Sequence, residues 1–177
     1  MNKAKLLPIL QVLHEAGVPF ALIGGYAVAA WGAVRATRDI DFLAAVAPDK
    51  IPGLIKAFMK AGFKGNYRSG GEDDPVRGVL GLERAETPDA EPVEIILGIK
   101  KMPAAIFERA RQIPFFGLEV PVTSPEDMIL LKCLAGGPFD LADARSILKV
   151  MQGKLDMEYL KSEFKRCRLS LEKLNKK

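Results

Sequence analysis

Leu6, Leu10 and Leu13 recur at helical spacing and Gly17 offers a stop beyond them, which predicts an amphipathic helix over residues 3–16. The apolar run VPFALIG then predicts a strand that runs into Gly24 and Gly25. The small, apolar stretch YAVAAWG after it predicts a buried helix. In RATRDIDFLAAV the alternation is that of a strand, with Asp39, Asp41 and Leu43 on one side and Ile40 and Phe42 on the other. The two carboxylates therefore point the same way. Residues 48–61 predict a helix closed by Gly62, with Pro52 and Gly53 near its start.

Further on, RSGGEDDP (68–75) and RAETPDAEP (84–92) are polar and rich in turn formers, and predict two loops around a strand, VRGVLGLE. VEIILGI predicts another strand, with Val93, Ile95 and Leu97 on one face and Glu94 and Ile96 on the other. PAAIFERARQ predicts a short helix, and IPFFGLEVPV two short strands about Gly117. Ser124 as cap and Pro125 at the first helical position start the helix PEDMILLKCLA. Gly136, Gly137 and Pro138 break it ahead of two more helical stretches, FDLADARSILKVMQ and DMEYLKSEFKRCRLSLEKL. The pattern divides the chain into an α/β core over residues 1–122 and a helical C-terminal part over 123–177, with no internal repeat.

Composition narrows the class. The chain has 177 residues, nearly half of them apolar, which suits a globular protein able to bury a core. Its 26 basic and 22 acidic residues leave a net charge of +4, which permits a polyanionic partner such as RNA without requiring one. Cys133 and Cys167 stand far apart and the only histidine is His14, so both read as free thiols of a reducing compartment and a structural zinc site is excluded. No stretch reaches the roughly 18 apolar residues of a membrane span. Gln11, His14 and Glu15 interrupt the only segment resembling a signal peptide, so a cytoplasmic location and no membrane partner are expected.

The candidate chemistry lies in the strand carboxylates. Transfer of a nucleotidyl group needs charge neutralised on a triphosphate, and two metal ions about 3.5–4 Å apart do this in many such sites. Magnesium takes carboxylate oxygens. Asp39 and Asp41, at i and i+2 on one strand, with Glu94 from a neighbouring strand, form a candidate metal set. Gly24 and Gly25, at a strand-to-helix turn, would let backbone N–H groups approach phosphate oxygens. Each motif also has a plainer reading. Asp39 and Asp41 pair equally with Arg35 and Arg38, the glycines suit a tight turn, Glu94 suits a solvated strand face, and Lys132 suits a snorkelling helix lysine. Asp140 and Asp143 suit the first turns of a helix, Tyr26 and Trp31 suit packing, and His14 has no partner in view.

Taken together, IGGYAVAAWGAVRATRDIDFL resembles the GG, helix, R-x-T-x-D-h-D signature of the DNA polymerase β-type nucleotidyltransferase superfamily. The stretch VPVTSPEDMILLKCLAGGPFDLADARSIL resembles the S-P-E-D, lysine and D-x-x-D block of its AbiEii-like toxin branch, at Lys132, Asp140 and Asp143. The resemblance implies a mixed β-sheet flanked by helices, two Mg2+ ions, and transfer of a nucleoside monophosphate from an NTP to an acceptor hydroxyl. In that frame Asp39 and Asp41 ligate metal, and Glu94, or Glu91 in its place, completes the second metal site or takes the acceptor's proton. Lys132 offsets triphosphate charge, Asp140 or Asp143 orients it or contacts the acceptor, and Arg38 joins Gly24, Gly25 and Lys132 on the nucleotide side. The acceptor would be RNA or protein, with a cognate antitoxin protein as partner. Glu72, Asp73 and Asp74 instead suit a cationic small molecule of the aminoglycoside kind. A third reading is a degenerate fold that binds a nucleotide or a partner protein.

Overall fold

The computed structural model describes residues 3–32, 36–84 and 92–175. Helix α1 (Lys3–Glu15) leads into β1 (Phe20–Ile23), α2 (Gly24–Ala30) and β2 (Ile40–Ala44). A 3-10 turn at Pro48–Lys50 opens α3 (Ile51–Lys60), followed by β3 (Phe63–Ser69), β4 (Gly78–Arg84) and β5 (Val93–Ile96). The hairpin of β6 (Arg111–Phe115) and β7 (Leu118–Val122) precedes α4 (Pro125–Ala135), α5 (Pro138–Val150), α6 (Met157–Arg166) and α7 (Leu171–Asn175). The strands form one seven-stranded mixed sheet in the order β3-β4-β5-β2-β1-β7-β6. β2 pairs with β5 and β1 with β7 in parallel; the other neighbours are antiparallel.

Two rows of residues explain how the sheet is covered. Gly65, Leu82, Val93 and Ile40 align across β3, β4, β5 and β2, and Gly65 has no side chain where Ile55 of α3 approaches. Phe42 and Ile95 share that face and are fully buried. The opposite face carries Asp41 and Glu94, and on it α2 lies against β2 and beside α4. Trp31 at the end of α2 donates its ring N–H to the Thr123 carbonyl at 2.9 Å, so it is a packing residue that fixes the helix to the β7–α4 junction. Val122 of β7, Met128 of α4, Ile147 of α5 and Leu160 of α6 belong to the same buried cluster as the sheet residues. Among the described residues no helix is long and apolar enough to cross a membrane.

Four sequence expectations change. FKGNYRS forms β3, which the pattern did not predict: only its first residue, Phe63, is buried, and the strand is held by backbone pairing to β4 along the sheet edge. Its last two residues lie in the stretch read as the loop 68–75. Residues 104–109 form successive turns in place of the expected short helix, with Ile106 buried within them and Arg109 ion-paired at their end. The single helical stretch expected after Asp156 breaks into α6 and α7 where Arg168 adopts a left-handed φ of 58°. Helix α2 includes Gly24 and Gly25, although Gly24 has φ 68°. Elsewhere the agreement is close: the two-residue β6–β7 turn, Phe116 and Gly117, has both φ values positive, as a tight hairpin requires.

Candidate active site

Gly24 and Asp41 are built against each other. The β1–β2 register pairs Ile23 with Asp41, so the chain turns into α2 directly beside that carboxylate. A Cβ at Gly24 would overlap Asp41 Oδ2 and stand 2.8 Å from its carboxyl carbon. The glycine is therefore needed twice, for its left-handed φ and for the room it leaves to the aspartate. Asp41 is half-buried, whereas Asp39, two residues earlier and just ahead of β2, is exposed.

The next strand supplies the second carboxylate. Parallel pairing sets Asp41 beside Glu94, and residues in register on neighbouring strands point to the same face. The row continues through Gly81 to Asn66, so Ile23, Asp41, Glu94, Gly81 and Asn66 align across β1, β2, β5, β4 and β3. A Cβ at Gly81 would meet only the Asn66 carbonyl, at 3.7 Å. Exposed Glu94 thus flanks an open shelf. The donor set, hard carboxylate oxygens with room beside them, suits Mg2+, which is commonly bound through one or two carboxylates plus substrate phosphates. Among the described residues no group of three or more His, Cys, Asp or Glu side chains is gathered for a metal ion. The register thus makes Asp41 and Glu94 neighbours, with Asp39 two residues before Asp41 and just ahead of the strand.

Lys132, Asp140 and Asp143 do come together. Lys132 Nζ on α4 donates to Asp140 Oδ1 at 2.7 Å and lies 3.0 Å from Asp143 Oδ2, joining α4 to α5. The lysine is mostly buried, so the lysine and D-x-x-D block forms an ion triad between two helices. Arg38 is exposed, and Thr37 Oγ1 donates to the Asp39 carbonyl at 3.3 Å. Arg35, the candidate partner of the aspartates, and Glu91, the alternative third carboxylate, lie outside the described residues, as does most of the loop 84–92.

The S-P-E-D block sits at the centre of a network in which Arg109, Asp156 and Tyr159 carry no sequence-level signal. Ser124 Oγ accepts from the Asp127 N–H at 3.1 Å and donates to Asp127 Oδ2 at 2.7 Å. Tyr159 donates to Asp127 Oδ1 at 2.6 Å, and the Arg109 guanidinium stacks 3.7 Å from the centre of the Tyr159 ring. Arg109 also lies 3.3 Å from Glu126 and 3.7 Å from Asp127, both buried. Burial pushes the Asp127 carboxyl up from its ordinary value, against the pull of Tyr159, Ser124 and Arg109. Burial and then Asp127 push the Tyr159 hydroxyl up, so it stays a neutral donor. Proximity of Arg109 to Asp156 or Tyr159 could not be read from spacing, since long chain separations intervene.

A mixed sheet flanked by helices, with a Gly-Gly turn packed on a strand aspartate, is a nucleotidyltransferase-type fold. Residues 2–176 match the family described as nucleotidyl transferase of unknown function (DUF2204), and the chain belongs to that family. No curated protein matches the chain significantly in sequence. Among solved structures, the antibiotic-resistance factor ANT(2'')-Ia is similar with a TM-score of 0.60 and 14% identity, covering 95% of each chain. The lincosamide antibiotic adenylyltransferase LnuA is similar with a TM-score of 0.52 and 15% identity, over 85% of this chain and 98% of its own. An antigenic nucleotidyltransferase-like protein from Paracoccidioides brasiliensis has a TM-score of 0.52 and 19% identity, over 96% of this chain and 90% of its own.

Proposed function

We propose that this nucleotidyltransferase moves a nucleoside monophosphate from an NTP to an acceptor hydroxyl, with Mg2+ held by Asp39, Asp41 and Glu94. The observation that carries the reading is the Gly24–Asp41 contact with Glu94 in register beside it. Mg2+ there would neutralise charge on the triphosphate. Gly24 and Gly25 admit phosphate oxygens to the backbone, and Arg38 adds a cation on the nucleotide side. Where Glu94 does not complete the metal site, it takes the acceptor's proton as the hydroxyl oxygen bonds to the α-phosphorus. The α–β phosphoanhydride bond breaks and pyrophosphate leaves. Lys132, steadied by Asp140 and Asp143, offsets phosphate charge. If the acceptor is RNA or protein, the chain is a toxin-type enzyme of AbiEii kind, working in the cytoplasm with a cognate antitoxin protein as partner.

A small cationic acceptor is the second reading, and two observations support it. Glu72 and Asp73 are exposed on the β3–β4 loop, which Lys100 fastens by hydrogen bonds to the Gly71 and Glu72 carbonyls. Structurally similar ANT(2'')-Ia and LnuA include forms bound to adenylyl-2''-tobramycin and lincomycin. Incubation with labelled NTPs, Mg2+, and either total RNA, a protein extract or aminoglycosides should label one class. Asp41→Asn should cut labelling by at least about 100-fold, and Gly81→Leu should raise the acceptor KM while leaving that for NTP unchanged. Labelling of no class, or full labelling by Asp41→Asn, defeats the proposal.

A further inference from the structure

A cavity of about 670 Å³ opens between α5, residues 151–156, α6 and α7. That volume lies within the range of small-ligand sites, roughly 300–1,000 Å³. Its α5 wall is Arg145, Leu148 and Lys149, at i, i+3 and i+4, which is one face of the helix, and Gln152 adjoins it from the turn after α5. Asp143 stands two residues before that face, and so points about 200° away from Arg145. The Lys132 triad and the cavity therefore use different sides of α5.

The lining has two chemistries. Leu155, Met157, Leu171 and Leu174 line it with Leu148, and Met157 is 39% exposed at its edge. Arg145 Nε donates to the Leu174 carbonyl at 2.8 Å, which fastens α7 to α5 and holds the wall in place. Arg145, Lys149 and Lys161 supply three cations against one carboxylate, Glu172. Among the described residues neither Lys149 nor Lys161 forms an ion pair. An apolar concavity edged by Lys149 and Lys161 complements a ligand with an apolar body and an anionic head.

We infer that this cavity binds a small amphipathic anion of the long-chain carboxylate class, its chain against the leucines and its head between Lys149 and Lys161. The site does not depend on the catalytic reading, and its test reads binding alone. Isothermal titration of the full chain with dodecanoate below its micelle concentration should show one saturable site, and neutral dodecanol should bind at least tenfold more weakly. The double variant Lys149→Ala/Lys161→Ala should lose at least tenfold in affinity with an unchanged melting temperature. Met157→Glu puts a carboxylate at the edge of the cavity and in the first turn of α6, where an acid favours the helix. It should abolish binding while keeping or slightly raising the melting temperature. No saturable dodecanoate binding, equal binding of dodecanol, or unchanged affinity in either variant would overturn the inference. So would binding of an acidic amphipathic helical peptide in place of dodecanoate, which would mark a protein-docking groove.

Discussion

A single missing methyl group decides the geometry around Asp41. Gly24 and Gly17 both adopt left-handed φ, 68° and 62°, but only Gly24 has a side chain where its Cβ would go. Gly17→Ala should cost about 1–2 kcal/mol of stability in urea unfolding, the backbone strain alone, with transferase activity retained. Gly24→Ala should carry that cost and also lose at least about 100-fold in activity, because the Asp41 carboxylate must move. Equal activity of the two variants would separate Gly24 from the chemistry. At Cys133, burial pushes the thiol from 9.0 up to about 11, with Arg145 pulling the other way. The folded chain then holds a proton that the unfolded chain releases, so this group's contribution to stability falls as pH rises from about 9 to about 11. The urea midpoint should drop more steeply over that range than in Cys133→Ala, and iodoacetamide at pH 8 should react about 100-fold more slowly than with an ordinary thiol.

Elements are joined here by polar contacts as well as by burial. The start of α4, the chain around Arg109 and the start of α6 meet at Asp127 and Glu126, where Asp156 N also donates to Glu126 Oε1 at 2.8 Å. Tyr159→Phe leaves Asp127 short of one donor and should cost about 1–3 kcal/mol. Arg109→Ala leaves two buried carboxylates without their shared cation and should cost more, about 3–5 kcal/mol. Urea titrations of the two variants decide the order, and a smaller loss for Arg109→Ala would show that the guanidinium contributes little. Legibility from sequence follows the same division. Helices α1, α4 and α5 and strands β1, β2 and β5 show in the apolar pattern because their apolar positions face one core. β3 did not show, because edge pairing holds it with little burial.

Across the whole molecule one apolar cluster draws on residues from both sides of residue 122. Met128, Ile129 and Leu130 of α4, with Ile147 and Leu160, are buried in one cluster with Leu22, Phe42 and Ile95. The helical C-terminal part therefore completes the core of the sheet. A polypeptide of residues 1–122 should show no cooperative urea transition, whereas the full chain should unfold in one; a cooperative fragment would establish an independent first domain.

The sequence by itself determined the order of strands and helices around the glycines, and the placing of Asp41 on the strand that follows them, because local periodicity and turn chemistry act over a few residues. The resemblance of its first motif block also pointed to the nucleotidyltransferases, and the family the chain belongs to is described as a nucleotidyl transferase. Only the tertiary structure decided that Glu94 stands in register with Asp41, since parallel pairing of β2 with β5 leaves no local trace in either segment. It alone brought Lys132 onto Asp140 and Asp143, and set Arg109 over Tyr159, where packing joins residues far apart in the chain. The same packing decided what a Cβ at Gly24 would meet. The sequence shows a glycine and an aspartate seventeen residues apart, and the β1–β2 register turns them into neighbours.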